Sequence, residues 1–367
     1  MNQKIRAVGA AVVVALWVLL TVVMWFGPSK DISEAERRPL DQMPEITVDN
    51  LLNGTFMGKF EDYTLDQFPL RDTFRTLKSL FAYNVMQRQD NNGIYMEDGY
   101  AAKLEYPLKE VSVSYALKKF NGIYDAYLKD TGCNVFMTVI PDKGYFLAEP
   151  NGYPAMDYDK LFDQMAQGMA WAQEVDISDC LDITDYYYTD THWRQEKVLD
   201  VAQKLCEAMG VNGPQPEHFT PTLLQQPFYG VYYGQAALPM EAEELYVMNS
   251  NLLKACRVFN HETGKYQSVY DMQKQFGLDP YDVFLSGAQA LLTIENPKAT
   301  TDKELILFRD SFGSSLAPLL VQGYKTVTLV DIRYVSSVML QEYLEFNGQD
   351  VLFAYSTLVL NSSSSLK

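Results

Sequence analysis

Basic side chains are in short supply in this chain. Its 367 residues include 30 lysines and arginines against 47 aspartates and glutamates, which gives a formal net charge of -17. This charge argues against nucleic acid as a partner, because like charges repel at long range. It also argues against electrostatic capture of a strongly anionic polymer, unless the binding cleft is locally basic.

Cysteines are few and widely separated. Cys133, Cys180, Cys206 and Cys256 form no C-x-x-C pair and lack the spacing of a zinc site, so no metal is expected. Outside the cytoplasm they could pair as disulfides. However, Cys133 enters a predicted strand and Cys206 lies on a predicted helix, so buried free thiols fit the sequence at least as well.

Histidine is also scarce, with three in the whole chain. His218 follows a proline-rich turn and His261 lies in a polar stretch, so both are expected to be exposed. His192 differs because it follows Asp190 by two residues, and residues i and i+2 of an extended segment point the same way. The carboxylate can then hold one imidazole nitrogen and leave the other free to take a serine proton. The alternative is a structural hydrogen bond at the start of a helix predicted over residues 194–209.

A serine stands at a predicted junction of strand and helix. Residues 305–308 form a continuous apolar run, typical of a strand buried on both faces, and the apolar spacing of residues 314–321 predicts a helix that Gly323 ends. Ser311 would lie at the carboxyl end of the sheet, near a helix N-terminus whose free N–H groups favour a developing oxyanion. This place suits a nucleophile; the alternative is that Ser311 only caps the helix.

Three segments, taken in order, resemble a known family. They are FEDY with DQFPLRD within residues 60–72, TDTHW at 189–193, and RDSFG with LVDIRY within 309–334. Together they resemble the alginate O-acetyltransferase group and the related DHHW-motif proteins, a branch of the SGNH hydrolase-like superfamily in which Asp-x-His precedes the nucleophilic serine. Thr191 stands where DHHW-motif proteins carry a second histidine, which is closer to the alginate enzymes.

The resemblance implies an SGNH hydrolase-like, three-layer α/β/α fold with a Ser-His-Asp triad of Ser311, His192 and Asp190. It also implies an exported enzyme that handles acyl esters on a polysaccharide and requires no cofactor. Because an exported domain has no access to cytosolic acetyl-CoA, a membrane-bound O-acyltransferase is expected to supply the acyl group.

The N-terminus contains a long uncharged run. Residues 7–26 can cross the hydrocarbon core of a bilayer, and Lys4 and Arg6 precede them. We therefore expect a single-pass anchor over residues 1–27 in the cell membrane, with its N-terminus in the cytoplasm. Cleavage is not expected, since the run exceeds a signal-peptide core and no small-x-small site follows it before Pro28. A buried core helix is the alternative.

Helical and strand patterns alternate after a polar linker over residues 28–55. The predicted helices cover residues 56–88, interrupted at Pro69, and residues 111–129, 158–172, 194–209, 314–321 and 335–346. The predicted strands cover residues 134–140, 175–183, 305–308, 326–330 and 350–355. This alternation predicts one α/β domain over residues 56–367, in which a parallel sheet carries helices on both faces. The serine-rich tail 361–367 is predicted to be disordered.

Residues 213–299 break the alternation with repeated prolines and short runs, such as 229–233 and 245–247, that indicate antiparallel strands. We expect an insertion between the histidine and serine motifs. It could form a wall of the cleft or a structural excursion elsewhere.

Four further residues are candidate substrate contacts. Arg333 closes a predicted strand at its carboxyl end, where ligand contacts gather, although pairing with a neighbouring acid would explain it equally well. Lys143 follows another predicted strand, and a solvated turn is the alternative. Tyr229 could stack on a sugar ring. Gly287 could lend a backbone N–H to an oxyanion hole, since no counterpart of the asparagine used by many SGNH enzymes is evident.

The expected function is O-acetylation of a cell-surface or exported polysaccharide through an acyl-serine intermediate. An acetyl esterase of the same fold is the first alternative, because both reactions pass through the same acyl-serine. A non-catalytic polysaccharide-binding or assembly protein is the second. The presence of Asp190, His192 and Ser311 together argues against that second alternative.

Overall fold

The computed structural model describes residues 3–367, so the first two residues of the predicted anchor lie outside the described part. The chain divides into two compact units. The N-terminal unit comprises the described residues up to Asn91 together with Tyr233–Pro239, and the larger unit comprises Asn92–Tyr232 and Met240–Lys367.

Helices dominate the N-terminal unit. Its elements in chain order are α1 (Gln3–Phe26), β1 (Ile32–Ser33), β2 (Arg38–Pro39), α2 (Val48–Leu52), α3 (Thr55–Asp66) and α4 (Arg71–Asn84). The helix α1 is long and apolar enough to cross a membrane. Pro69 separates α3 from α4, as predicted, because proline cannot continue a helix. The elements β1, β2 and α2 lie within the predicted linker.

A sheet of eight strands organises the larger unit. Its strands are β5 (Asn134–Ile140), β6 (Gln173–Glu174), β9 (Arg257–Asn260), β10 (Lys265–Gln267), β11 (Leu291–Glu295), β12 (Glu304–Arg309), β13 (Thr326–Val330) and β14 (Asp350–Ser356). Their spatial order is β10-β9-β11-β13-β12-β14-β5-β6. Two further antiparallel pairs lie outside this sheet: the hairpin of β3 (Ile94–Glu97) with β4 (Tyr100–Lys103), and β7 (Thr220–Leu223) with β8 (Tyr246–Asn249).

The sheet is parallel from β13 to β6 and antiparallel at its other end. Strand β12 pairs in parallel with both β13 and β14, and β14 pairs in parallel with β5. Strands β11, β9 and β10 join antiparallel. The prediction of a parallel sheet is therefore confirmed for the strands around Ser311. At the other end, strands from the predicted insertion extend the same sheet, which was not predicted.

Different helices cover the two faces of the sheet. The helices of the larger unit are α5 (Glu110–Ile123), extended by a π-helical turn, α6 (Lys143–Leu147), α7 (Tyr158–Gly168), α8 (Leu199–Ala208), α10 (Phe312–Leu320) and α11 (Thr357–Leu360). The short helix α9 (Val231–Ala236) begins in the larger unit, and its residues from Tyr233 on belong to the N-terminal unit. Along β12, Leu305 and Leu307 pack in one core with α8 and α10, whereas Ile306 and Phe308 pack in the other with α5 and α7. Because successive strand residues point to opposite faces, a continuous apolar run serves both cores.

Three predicted regular elements are wrong for local reasons. Residues 175–183 form short 3₁₀ turns rather than a strand, because aspartate side chains such as Asp182, which accepts from the N–H of Thr184, support local turns. The tyrosine-rich run 229–233 enters the helix α9, since buried contacts override strand propensity there. Residues 335–346 form only a 3₁₀ stretch, Ser337–Glu342.

The C-terminal tail is ordered, contrary to the prediction of disorder. Leu366 is 1% exposed, and the backbone N–H of Lys367 donates to the carbonyl of Ile332. Ser363 is hydrogen-bonded as well, since its N–H donates to the hydroxyl of Ser112 at 2.7 Å. Polar composition misled the prediction because Asn361 and Ser363 are buried inside the fold.

Candidate active site

Asp190, His192 and Ser311 lie in one hydrogen-bonded line. Nδ1 of His192 is 2.6 Å from Oδ1 of Asp190, and Nε2 is 2.7 Å from Oγ of Ser311. An ionised carboxylate can only accept, so Nδ1 donates to Asp190 and Nε2 is left to accept the serine proton. The structure thus brings together the three residues that the sequence singled out.

Ser311 occupies the turn between β12 and α10, where the sequence placed it. Its side chain makes no capping hydrogen bond to the helix. The neighbouring Asp310 caps instead: its Oδ1 accepts from the N–H of Phe312 at 3.0 Å, and its Oδ2 accepts from the N–H of Ser356 at 2.7 Å. The capping alternative therefore belongs to Asp310, and the hydroxyl of Ser311 faces His192.

A buried charge cluster supports this turn. Gly313 permits it, since a Cβ there would lie 2.6 Å from Cβ of Arg309. Asp331 lies 3.5 Å from NH1 of Arg309 and accepts from Nε and NH2 of Arg333 at 2.9 and 2.6 Å. Burial lowers the pKa of the Arg309 guanidinium, and the carboxylate of Asp331 opposes that shift. Arg333 therefore pairs with a neighbouring acid, which was the alternative to a substrate contact.

The imidazole of His192 contacts two aromatic side chains. It stacks on Tyr281 with ring centroids 3.9 Å apart and an interplanar angle of 5°, and it meets Phe312 at 5.0 Å. The hydroxyl of Tyr281 and the indole N–H of Trp193 both donate to Oγ of Ser315, at 2.8 and 2.9 Å. These contacts restrict the ring, so Nε2 stays directed at the serine oxygen.

Both carboxylate oxygens of Asp190 accept hydrogen bonds. Oδ1 accepts from the His192 ring and, at 3.1 Å, from the backbone N–H of the same residue; Oδ2 accepts from the N–H of Val231 at 2.8 Å. Gly230 allows this approach, because a Cβ on it would lie 2.3 Å from the backbone nitrogen of Asp190. The two-residue spacing thus acts through a local Asx-type turn rather than through the extended segment that we predicted.

A buried lysine and a half-buried glutamate hold the loop before Asp190. Nζ of Lys143 donates to the carbonyls of Tyr187 and Tyr188 at 2.9 and 3.2 Å. Glu243 accepts from the N–H groups of Tyr188 and, at 2.6 Å, Thr189. Burial lowers the pKa of Lys143 to about 7 and raises the pKa of Glu243. We call this pair the loop clamp.

The weaker candidates differ in their surroundings. Lys143, at 2% exposure, is part of the loop clamp rather than of a solvated turn. Tyr229 is 38% exposed and precedes Gly230, which touches Asp190. The backbone N–H of Gly287 donates to the carbonyl of Phe284 at 3.1 Å, so this conformation does not offer it to an oxyanion.

Sequence reasoning missed several residues of the site. Asp310 could have been found, because an aspartate before a predicted helix is a strong capping signal. Tyr281, Glu243 and Gly230 carried no such signal. They lie in the irregular segment 213–299, and their contacts with residues 187–192 depend on long-range packing.

Other reactive groups are less suited to chemistry. In residues 3–367, no three histidine, cysteine, aspartate or glutamate side chains are grouped to hold a metal ion. All four cysteines are free thiols, and burial raises the pKa of both Cys206 and Cys256 to about 12. Such thiols stay protonated near neutral pH and are poor nucleophiles.

Comparisons with known proteins find similarity to DHHW proteins over part of the chain. The family model described as DHHW protein matches residues 163–330, which include the histidine and serine motifs. No curated protein matches the chain. A crystal structure of a DHHW family protein from Eubacterium siraeum DSM 15702 is similar with a TM-score of 0.61 and 19% identity, over 75% of this chain and 94% of that chain.

A second similar structure is PatB1 from Bacillus cereus, solved with a sulfonyl adduct. Its TM-score is 0.58 at 17% identity, over 73% of this chain and 95% of that chain. Identities of this size show a shared fold. The resemblance that the three motifs predicted is confirmed by the family model over residues 163–330 and by this shared fold.

Proposed function

We propose that this protein is a membrane-anchored, extracytoplasmic O-acetyltransferase of the SGNH type, which acetylates a cell-surface or exported polysaccharide. The observation that carries the proposal is the unbroken hydrogen-bonded line from Asp190 through His192 to Ser311. A buried, oriented histidine between a carboxylate and a serine is the arrangement that acyl transfer through a serine ester requires.

In the first half-reaction Ser311 takes the acetyl group. As its Oγ attacks the acyl carbonyl of the donor, Nε2 of His192 takes the hydroxyl proton, and Asp190 stabilises the resulting imidazolium. The carbonyl oxygen develops negative charge beside the N-terminus of α10, which favours it. The bond to the donor oxygen then breaks, and that oxygen leaves with the proton from His192.

In the second half-reaction a sugar hydroxyl attacks the acetyl-serine. His192 takes the proton of this hydroxyl, a new ester forms on the sugar, and the oxygen of Ser311 leaves and regains a proton from His192. Atoms balance without a redox step or cofactor. An esterase would admit water in place of the sugar, so specificity depends on how the acceptor is positioned.

The exposed ring of Tyr229 is the proposed contact for the acceptor sugar. It is 38% exposed and lies next to Gly230, which touches Asp190. The neighbouring Tyr232 is buried, and its hydroxyl donates to Thr191 at 3.0 Å, so it serves the loop instead. A planar aromatic face suits an apolar sugar face.

Anchoring by α1 defines where the reaction would occur. With Lys4 and Arg6 on the cytoplasmic side, the larger unit would be extracytoplasmic, without access to cytosolic acyl donors. We therefore propose that a membrane-bound O-acyltransferase supplies the acetyl group.

The proposed transfer can be tested with the full chain in detergent micelles. An activated acetyl ester serves as donor, a panel of oligosaccharides as acceptors, and mass spectrometry of the oligosaccharides as readout. We expect slow hydrolysis without acceptor, and faster donor turnover with acetylated product for a suitable oligosaccharide. Loss of acetyl groups from an acetylated polymer, with no gain on any member of the panel, would favour the esterase.

A further inference from the structure

The helix α4 exposes large apolar side chains and buries small ones, which is the reverse of the pattern expected for a helix on a water-facing surface. Phe74, Leu77 and Phe81 are 43%, 55% and 55% exposed, whereas Ser79 and Ala82 on the opposite side are buried. A surface helix normally buries its apolar face, because each Å² of apolar surface removed from water contributes roughly 25 cal/mol. The exposed side therefore needs an apolar environment of its own.

The exposed apolar side chains form one continuous surface. Leu70 precedes the helix and Val85 follows it, and they are 68% and 64% exposed. Spacings of three and four residues place all five on one helical face. The apolar stripe, as we name this surface, consists of Leu70, Phe74, Leu77, Phe81 and Val85.

Polar contacts on the inner side fix this orientation. Arg71 and Arg75 reach the two carboxylate oxygens of Glu36 at 2.5 and 3.2 Å. The hydroxyl of Ser79 donates to the carbonyl of Ala236 at 2.9 Å. Turning the helix to bury the stripe would break these contacts, so its exposure is built into the N-terminal unit.

The stripe begins beside the end of α1. Val23 and Met24, in the last turns of α1, line the same cavity of about 750 Å³ as Leu70 and Arg71 at the start of α4. Trp25 also meets Phe60 of α3, with ring centroids 6.0 Å apart. If α1 spans the bilayer, its last turns lie at the membrane surface, and the start of α4 lies at the same depth.

Charge distinguishes this unit from the remainder of the chain. Residues 1–91 contain 10 lysines and arginines against 11 aspartates and glutamates, and Tyr233–Pro239 adds no charge; the other residues contain 20 against 36. A nearly neutral unit can approach an anionic lipid surface, whereas a strongly acidic one is repelled. Lipid is therefore the occupant that these observations favour.

We propose that the apolar stripe lies in the interfacial layer of the bilayer, beside the point where α1 leaves it. The protein would then be held by a spanning helix and by a second helix lying in the membrane surface. This inference rests on the membrane anchoring in the proposed function. It adds a docking surface on the unit that does not carry the candidate active site.

Photo-crosslinking to lipid tests the inference on the full chain. The protein is reconstituted into vesicles of phosphatidylcholine and phosphatidylglycerol that contain a photoactivatable phospholipid, and labelled peptides are mapped by mass spectrometry. We expect label on α1 and on the apolar stripe. Val111 and Val338, exposed by 85% and 72% in the larger unit, give the background level.

A serine variant of the stripe supplies the control. The triple change Phe74→Ser, Leu77→Ser and Phe81→Ser should remove stripe labelling while α1 labelling and turnover of a soluble acetyl ester stay unchanged; Val338→Ser should alter none of these. If α1 is labelled but the apolar stripe shows only background label, this inference alone is overturned. The same holds if the stripe crosslinks to a second copy of the protein and not to lipid. Absence of label on α1 overturns the anchoring in the proposed function.

Discussion

The two halves of the candidate site are built in different ways. Ser311 stands on regular structure, at the end of a central strand and before a helix whose first turn Asp310 caps. His192 stands on an irregular loop that residues from distant segments hold: the loop clamp, Gly230 and the ring of Tyr281. We infer that the sheet fixes the nucleophile, whereas long-range packing fixes the base. The base should therefore be the half that distant substitutions disturb.

The largest effect should come from removing either half. Ser311→Ala and His192→Ala should each lower turnover of an activated acetyl ester by about 10³-fold or more, because the members of a catalytic triad, as proposed here, act as one unit. The double variant should lose little more than either single variant. Steady-state kinetics on folded protein checks this, and near-normal turnover by folded Ser311→Ala would remove the nucleophile from the account.

A smaller loss of turnover should follow from one methyl group added at Gly230, next to Asp190. Gly230→Ala places a Cβ 2.3 Å from the backbone nitrogen of Asp190, so the loop must shift. A displacement of this kind should lower turnover on the order of 10²-fold, since catalysis is sensitive to misplacement by about 1 Å. Measured kcat should fall while thermal unfolding remains cooperative.

An exposed helical glycine gives the matched control. Gly122 lies in α5 with nothing within 4 Å of an added Cβ. Gly122→Ala should leave turnover unchanged and stabilise the protein by up to about 1 kcal/mol, because alanine favours the helix. Equal kinetics for the two alanine variants would contradict the role assigned to the Gly230 contact.

Substitution of one carboxylate in each half allows their effects on stability and turnover to be compared directly. Glu243 and Asp310 each accept backbone N–H groups, the first in the base loop and the second in the serine turn. Glu243→Gln and Asp310→Asn should each destabilise the protein by about 1–3 kcal/mol, since one backbone donor loses its acceptor. At equal loss of stability, Glu243→Gln should lower turnover more, because no sheet holds its loop. The reverse order would contradict the comparison.

The last expected effect is on the pH dependence of stability. The pKa of Lys143 is about 7 in the folded protein and near 10.5 when the chain is unfolded. Between these values the unfolded chain binds the extra proton, so stability rises with pH through this window. Lys143→Met should lack that contribution, which amounts to at most about 1.4 kcal/mol per pH unit. The free energy of unfolding of both proteins, measured between pH 7 and 10, gives the difference. If the two proteins show the same dependence on pH, Lys143 is not buried in the loop clamp.

The same contrast explains what the sequence could predict. The apolar run of β12 and the periodic spacing of α10 locate Ser311, because strand and helix patterns repeat at fixed intervals. The spacing of Asp190 and His192 pointed to the base, although the turn that joins them was not foreseen. Contacts from Tyr281, Glu243 and Gly230 could not be predicted, since they depend on how an irregular segment packs over the loop. For the same reason the sequence did not predict that strands of this segment join the edge of the main sheet.

The central claim is that Ser311 carries the acetyl group between donor and sugar. Its most direct test mixes the full-length protein with an activated acetyl ester, quenches the reaction within the first turnover, and maps acetylated peptides by mass spectrometry. We expect acetyl on the peptide containing Ser311. We also expect loss of that acetyl on addition of an accepted oligosaccharide, with equal gain on the sugar, and no loading in His192→Ala. Acetylated sugar formed without any acetyl on Ser311, or by the Ser311→Ala variant, would contradict this claim.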